Sequence, residues 1–186
     1  MVSVLSLWLP IIVAAVIVFL VSSVIHMATP WHKGDWLKVP SEDNVMNALR
    51  PFNLAPGDYG MPLAGSMANM NTPEFKDKLK KGPVIFMTVR QSGEFNMGAT
   101  LFKWFLFSLL VGFFTAYVAG VALPVGADYL KVFQVSGCVA FMAYSFGQMP
   151  QSIWYSKNWG TTIKSMIDGL VYGLMTAGTF GWLWPK

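Results

Sequence analysis

Charged residues are scarce in this chain, and their scarcity indicates its class. Only 12% of the 186 residues are charged, whereas 54% are hydrophobic, and the mean hydropathy is +0.49. An ordinary soluble domain carries about twice that charged fraction. The composition therefore predicts an integral membrane protein. The net charge of +4 is small and the basic residues lie outside the apolar runs, so we expect no nucleic-acid partner.

Cysteine and catalytic motifs are equally scarce. Cys138 is the only cysteine, which excludes an intrachain disulfide and a thiolate cluster for zinc or iron–sulfur. Because it lies within an apolar run, we interpret it as a small core residue. The sequence has no P-loop, no G-x-S-x-G, no H-E-x-x-H and no glycine fingerprint between a strand and a helix. We therefore predict no catalytic residue and no cofactor, and the balance is against an enzyme.

Long apolar segments predict an all-α membrane protein with four transmembrane helices. A helix of about 20 apolar residues crosses the hydrocarbon core of a bilayer. The first segment lies within residues 1–29 and lacks the basic start and cleavage site of a secretory signal peptide. The other three form a membrane region over residues 100–186, with helices at about 100–121, 129–147 and 162–184. We expect the Gln148-Met149-Pro150 sequence to close the third helix.

An insertion of about 70 residues, 30–99, separates the first two membrane helices and is predicted to lie outside the membrane. Short helices are expected after Ser41 and Thr72, whose hydroxyls suit helix N-caps. Residues 83–90 form a possible minor strand with no visible partner, and residues 53–72 are predicted to be a loop. The sequence does not decide whether this segment folds by itself.

A stripe of small residues runs along the last apolar segment. Residues four apart lie on one face of a helix, and small side chains there let another helix approach closely. This pattern predicts that the last helix is the packing centre of the protein. The stripe consists of Ser165, Gly169, Gly173, Ala177 and Gly181.

Two groups of residues suggest metal ligands, but only weakly. His26, His32 and Asp35 offer two imidazoles and a carboxylate, yet the histidines are six residues apart across Pro30 and share no regular helical face. We therefore predict no metal site there and expect the segment to anchor the first helix at the headgroups. A second group of thioethers suits Cu(I), although packing explains methionine more simply. It consists of Met61, Met67 and Met70.

Asp168 and Gln134 are the notable polar residues within the predicted membrane helices. An ionisable group at membrane depth is costly and is by default a functional hypothesis. Asp168 lies near the start of the last helix, so it faces either a polar crevice or the headgroups. Lys164, four residues earlier, is its expected partner.

The distribution of basic residues predicts the orientation of the chain. Near the helix ends, the side that carries the insertion has six basic residues, and the opposite side has only Lys131 and Lys186. The positive-inside rule then places both termini outside and residues 30–99 in the cytoplasm, in a bacterial inner or plasma membrane. The six residues are Lys33, Lys38, Arg90, Lys103, Lys157 and Lys164.

Two functions fit these features. The first is a helix-packing accessory or structural subunit of a membrane complex, with other membrane helices as partners, because packing motifs are the strongest signal. The alternative is a small oligomeric transporter or channel with Asp168 in its pathway. A membrane enzyme that uses His26, His32 and Asp35 is a more distant alternative. The sequence does not name a substrate, a partner or an oligomeric state.

Overall fold

The computed structural model describes all residues, Met1–Lys186, and is mostly helical. The chain divides into two compact units, one formed by Met1–Trp36 with Asn96–Lys186 and the other by Leu37–Phe95. The first unit contains α1 (Trp8–Ser23), α4 (Met97–Ala122), α5 (Tyr129–Ser145), α6 (Met149–Tyr155) and α7 (Trp159–Trp182). The second contains α2 (Glu42–Leu49), β1 (Gly57–Met61), α3 (Pro73–Lys81) and β2 (Ile85–Val89).

Three helical segments are long and apolar enough to cross a membrane: Val4–Ala28, Met97–Ala122 and Tyr129–Tyr155. The first extends α1 by a 3-10 turn before it and a π-helical turn after it. The third continues from α5 through a 3-10 turn into α6. The 24-residue helix α7, which carries Lys164 and Asp168, is not among the three.

Local sequence sets two helix boundaries. Helix α5 ends at Ser145, close to the predicted end at 147, and after a 3-10 turn Pro150 occupies the first turn of α6, where its missing N–H is not needed. The last helix begins at Trp159, because the side chain of Asn158 caps it by accepting a hydrogen bond from the Gly160 N–H at 2.7 Å.

Helices α5 and α7 form the most extensive helix contact and run antiparallel. A Cβ added to Gly137 would lie 3.0 Å from the Ala177 Cβ, and one added to Gly173 would lie 3.1 Å from the Phe141 nitrogen. At the two ends of the contact, Gly169 packs on Ser145 and Gly181 packs on the Tyr129 ring. Glycine at these positions therefore sets the distance between the helices.

Helices α1 and α4 also run antiparallel. Gly112 packs on Ile11, the Val2 N–H donates to the Gly120 carbonyl at 2.7 Å, and Trp104 donates through Nε1 to the Ser22 hydroxyl at 2.8 Å.

The C-terminal segment returns to the loop before α5, where Gly126 N donates to the Pro185 carbonyl at 2.9 Å and Trp184 Nε1 donates to the Pro124 carbonyl at 3.0 Å. Both chain termini therefore lie at the same end of the unit formed by Met1–Trp36 and Asn96–Lys186, which we call the helical unit.

The unit Leu37–Phe95 is built around a two-stranded antiparallel sheet. β1 pairs with β2 so that Gly57 faces Val89 and Met61 faces Ile85. The predicted strand at 83–90 thus has a partner, and that partner lies in the segment predicted to be a loop. The β1 sequence, Gly-Asp-Tyr-Gly-Met, contains two glycines, which are poor strand formers. Only pairing with a distant segment makes it a strand.

The two predicted caps in this unit differ in outcome. The Thr72 cap is confirmed, because its hydroxyl accepts from the Phe75 N–H at 3.3 Å and Pro73 follows as the first helical residue. The helix predicted after Ser41 forms as α2 with Ser41 at the N-cap position, but Ser41 has a left-handed φ of 51° and its side chain makes no capping bond. No residue of this unit is buried.

Candidate functional site

The two histidines meet at the end of α1. The π-helical turn Val24–Ala28 carries His26, and the loop after it is tightened by the Thr29 hydroxyl, which donates to the Ile25 carbonyl at 2.6 Å. A further turn follows, in which Lys33 N donates to the Pro30 carbonyl at 3.0 Å. The loop thereby folds His32 back over His26, and the rings stack with centroids 4.2 Å apart. The two histidines therefore meet although they share no helical face, which was the reason for expecting no common site.

His32 lies between two carboxylates. Its Nδ1 is 2.7 Å from Asp35 Oδ2, and its Nε2 is 2.7 Å from Asp168 Oδ2. A neutral imidazole has one N–H donor and one lone pair, so it can donate to only one of them. The contact with the second carboxylate therefore requires a second proton shared between the two groups, or a metal ion in its place. The side chains of Asp35 and Asp168 are 8% and 6% exposed, so little solvent screens them.

Lys164 does not pair with Asp168 as predicted. Its ammonium donates to Asp35 Oδ1 at 2.8 Å and lies 5.6 Å from the centre of the Trp31 ring. The predicted pair had the less favourable order, Lys before Asp at a spacing of four. The loop after α1 supplies a better partner from a distant part of the chain.

Asp168 is held by two residues of the same loop. Trp31 Nε1 donates to its Oδ1 at 3.0 Å, while its Oδ2 faces His32. Asp168 is buried. Of the two surroundings expected for it, a polar crevice or the headgroups, it therefore has the polar one, within the helical unit. Nothing in the sequence connects Trp31 with Asp168, because the two residues are 137 positions apart, although the position of Trp31 next to His32 could have suggested a shared role.

The polar groups of the site form one continuous chain, Lys164, Asp35, His32 and Asp168. The hydrogen bond from Lys164, and next that from His32, lowers the pKa of the Asp35 carboxyl. Asp35 is therefore a carboxylate at neutral pH.

Aromatic side chains close the inner side of the site. The Tyr172 hydroxyl lies 3.4 Å from His26 Nε2. Its ring packs against Tyr144 and Trp104, with centroids 5.5 Å and 6.0 Å away. Tyr144 and Tyr172 are buried, so the charged groups border a dry aromatic cluster. A charge on this border is only weakly screened by water.

Three groups at this site can provide ligands to one ion. The available ligand atoms of His26, His32 and Asp168 all lie within 4.8 Å of one another. No family model, curated protein or solved structure matches this chain. The chemistry of the site therefore has to be argued from its own residues. Two imidazole nitrogens and one carboxylate oxygen form a set that binds divalent transition metals.

The other predicted site residues lie elsewhere. Gln134 is exposed on α5, and Cys138 is exposed and not a core residue as expected. The three methionines are exposed in the unit Leu37–Phe95, where Met61 ends β1 and Met70 lies in the 3-10 turn Asn69–Asn71.

Within the stripe, Gly169, Gly173, Ala177 and Gly181 face α5, and the Ser165 hydroxyl donates to the Thr161 carbonyl of its own helix at 3.0 Å.

Proposed function

We propose that the protein spans the membrane four times, with α7 as the fourth transmembrane helix. The support is its contact with α5, which extends from Gly181 at Tyr129 to Gly169 at Ser145. A helix that runs antiparallel beside a membrane span over this length shares its depth in the bilayer. Lys164 and Asp168 then lie near one membrane boundary, at the same end as the loop after α1.

The proposed orientation has both termini outside and Leu37–Phe95 in the cytoplasm, in a bacterial inner or plasma membrane. An even number of spans agrees with the two termini lying at one end of the helical unit. The excess of basic residues near the helix ends on the opposite side supports the direction.

The function that the geometry supports best is that of an accessory subunit, which associates with other proteins of a membrane complex. The unit Leu37–Phe95 carries this proposal, because none of its residues is buried and several large apolar side chains point outward. Leu37 is 89% exposed, Leu63 76% and Met67 80%. A domain of about 60 residues is marginally stable even with a core. We infer that a partner covers these exposed apolar side chains, because the unit buries none of its own residues.

The proposed occupant of this surface is another protein. An anionic lipid surface would be bound by clustered basic residues. The one basic cluster of this unit lies in α3, at Lys76, Lys78, Lys80 and Lys81. Acidic residues nearly balance the charge of the whole unit, so we favour a protein over a lipid surface; they are Glu42, Asp43, Asp58, Glu74, Asp77 and Glu94. The small-residue stripe of α7 does not supply the contact, because α5 already occupies most of it.

A Leu63→Ser/Met67→Ser variant tests the proposal, with Lys76→Ser as a control on the same unit. After extraction in a mild detergent, we expect the native chain and the control to retain a foreign protein at fixed stoichiometry. The double variant should lose that protein while its own helices stay folded. Equal retention by all three chains would contradict the proposed surface.

The alternative, an oligomeric transporter or channel, is favoured by the buried charge of Asp168. Its pathway would have to form between copies of the chain. Most buried hydroxyls inside the bundle donate to carbonyls of their own helix, as Ser136 does to Val132 and Thr176 to Tyr172. A closed homo-oligomer in the same extraction, without a foreign protein, would favour this function instead.

A further inference from the structure

We propose that His26, His32 and Asp168 bind one divalent transition-metal ion at the end of the helix bundle. This inference goes beyond the accessory role and does not depend on it. The ligand atoms lie within 4.8 Å of one another, and one pair is already 2.7 Å apart. Ligands about 2.1 Å from a zinc-like ion lie about 3.4 Å from each other at tetrahedral angles. Shifts of an ångström or so therefore bring all three onto one ion.

The second nitrogen of His32 supports the assignment. Metal-bound histidines characteristically donate their other ring N–H to a carboxylate, which fixes the tautomer and makes the ligand nitrogen more basic. His32 has this partner in Asp35, 2.7 Å from Nδ1. Lys164 holds the other oxygen of Asp35 at 2.8 Å, so the carboxylate is oriented from both sides. Nε2 of His32 then carries a lone pair and faces Asp168.

Asp168 is arranged in the same way. Its Oδ1 accepts a hydrogen bond from Trp31 Nε1, and its Oδ2 is the atom that faces His32. At 2.7 Å these two atoms share a proton, because two lone pairs at this distance would repel each other. A metal ion that takes the place of the proton would hold both atoms about 3.4 Å apart. It would also bind His26 once that ring turns out of its stack with His32.

The ligand types indicate the class of metal. Imidazole nitrogen suits zinc, iron, copper and nickel, whereas calcium and magnesium prefer sites built from oxygen. Two histidines and one carboxylate leave coordination positions open, as in metal sites that bind water or a further ligand. His26 is the exposed member of the set, so the ion has access from outside the helical unit.

The experiment is a titration of the full-length protein in detergent with Co²⁺, followed by competition with Zn²⁺. The background is Cys138→Ser with a purification tag that contains no histidine, which leaves His26 and His32 as the only imidazoles. We expect one Co²⁺ per chain, with the visible absorption of a low-coordinate site, displaced by one Zn²⁺. His26→Gln and Asp168→Asn should weaken binding by at least about tenfold. Asp35→Asn, which removes only the partner of His32, should weaken it by about 10–100-fold.

Asp128→Asn is the matched control, because this carboxylate is exposed and pairs only with Lys131. It should bind Co²⁺ like the parent. His26→Gln keeps the test valid if Asp168→Asn does not fold, because His26 is exposed. Equal binding by the parent and His26→Gln, or no stoichiometric binding by a folded parent, would overturn the proposal. A proton alone would then join His32 to Asp168.

Discussion

Gly173 of α7 lies directly against the backbone of Phe141 in α5. A Cβ on Gly173 would lie 3.1 Å from the Phe141 nitrogen and 3.2 Å from its Cα, which is closer than ordinary van der Waals contact. The two helices therefore touch through backbone atoms at this point. Close backbone contact brings many atoms within dispersion distance, so the close approach itself contributes to the association of the helices.

Gly173→Leu should separate α5 from α7. The added side chain has no space at the crossing, and the many dispersion contacts around it, each about 0.1–0.2 kcal/mol, would be lost. We expect a strongly reduced monodisperse fraction after detergent extraction. Leu174→Ile is the control, because Leu174 is 43% exposed and the change keeps its volume. Equal yields for both variants would show that the contact between α5 and α7 does not govern folding.

Trp31→Phe should destabilise the helical unit. The change keeps an aromatic ring but removes the Nε1 donor to Asp168 Oδ1. A hydrogen bond to a charged group contributes about 1.5–3 kcal/mol, and the lower end applies here because Trp31 is 39% exposed. Thermal unfolding in detergent measures the effect. Trp36→Phe is the control, since Trp36 is 93% exposed, and a similar fall in Tm for both variants would contradict the role of the bond.

Asp168→Asn should also lower the thermal stability in the absence of added metal. It replaces the carboxylate oxygen that contacts His32 Nε2 by an amide group, and the loss of a hydrogen bond to a carboxylate costs about 1.5–3 kcal/mol. The Trp31 bond to the side-chain oxygen is retained by Asn. Unchanged stability would mean that Asp168 does not rely on His32. Loss of ion flux in liposomes by a variant that assembles normally would support the transporter.

Labelling in intact cells tests the proposed orientation. A cysteine introduced at Ser66, in a Cys138→Ser background, should resist a membrane-impermeant thiol reagent until the cells are lysed. Ser66 is exposed in the unit Leu37–Phe95, so the reagent can reach it on whichever side that unit lies. Reaction in intact cells would reverse the orientation.

Apolar length and local caps made the helices largely predictable. Three of the predicted membrane helices correspond to segments long and apolar enough to span, and Thr72 with Pro73 correctly predicted the start of α3. Both signals lie within one helix or one turn, so no distant contact is needed to interpret them. β1 was missed because its pairing with β2 joins segments far apart in the chain.

The site was only partly predictable. The sequence suggested His26, His32 and Asp35 as one group and Asp168 as another. It contained no sign that His32 joins the two groups, or that Lys164 pairs with Asp35. Lys164 and Asp35 are 129 residues apart in the chain. No periodicity of one helix records such a contact.

The sequence by itself determined that this is a helical protein with segments long and apolar enough to cross a membrane, because hydropathy and length act locally along the chain. It also determined which residue types are available for chemistry, since only two histidines and one cysteine are present. Tertiary structure alone decided which of them meet. The π-helical turn after α1 and the packing of the bundle bring His32 between Asp35 and Asp168. That arrangement depends on long-range contacts, and it converts isolated polar residues into one charged site.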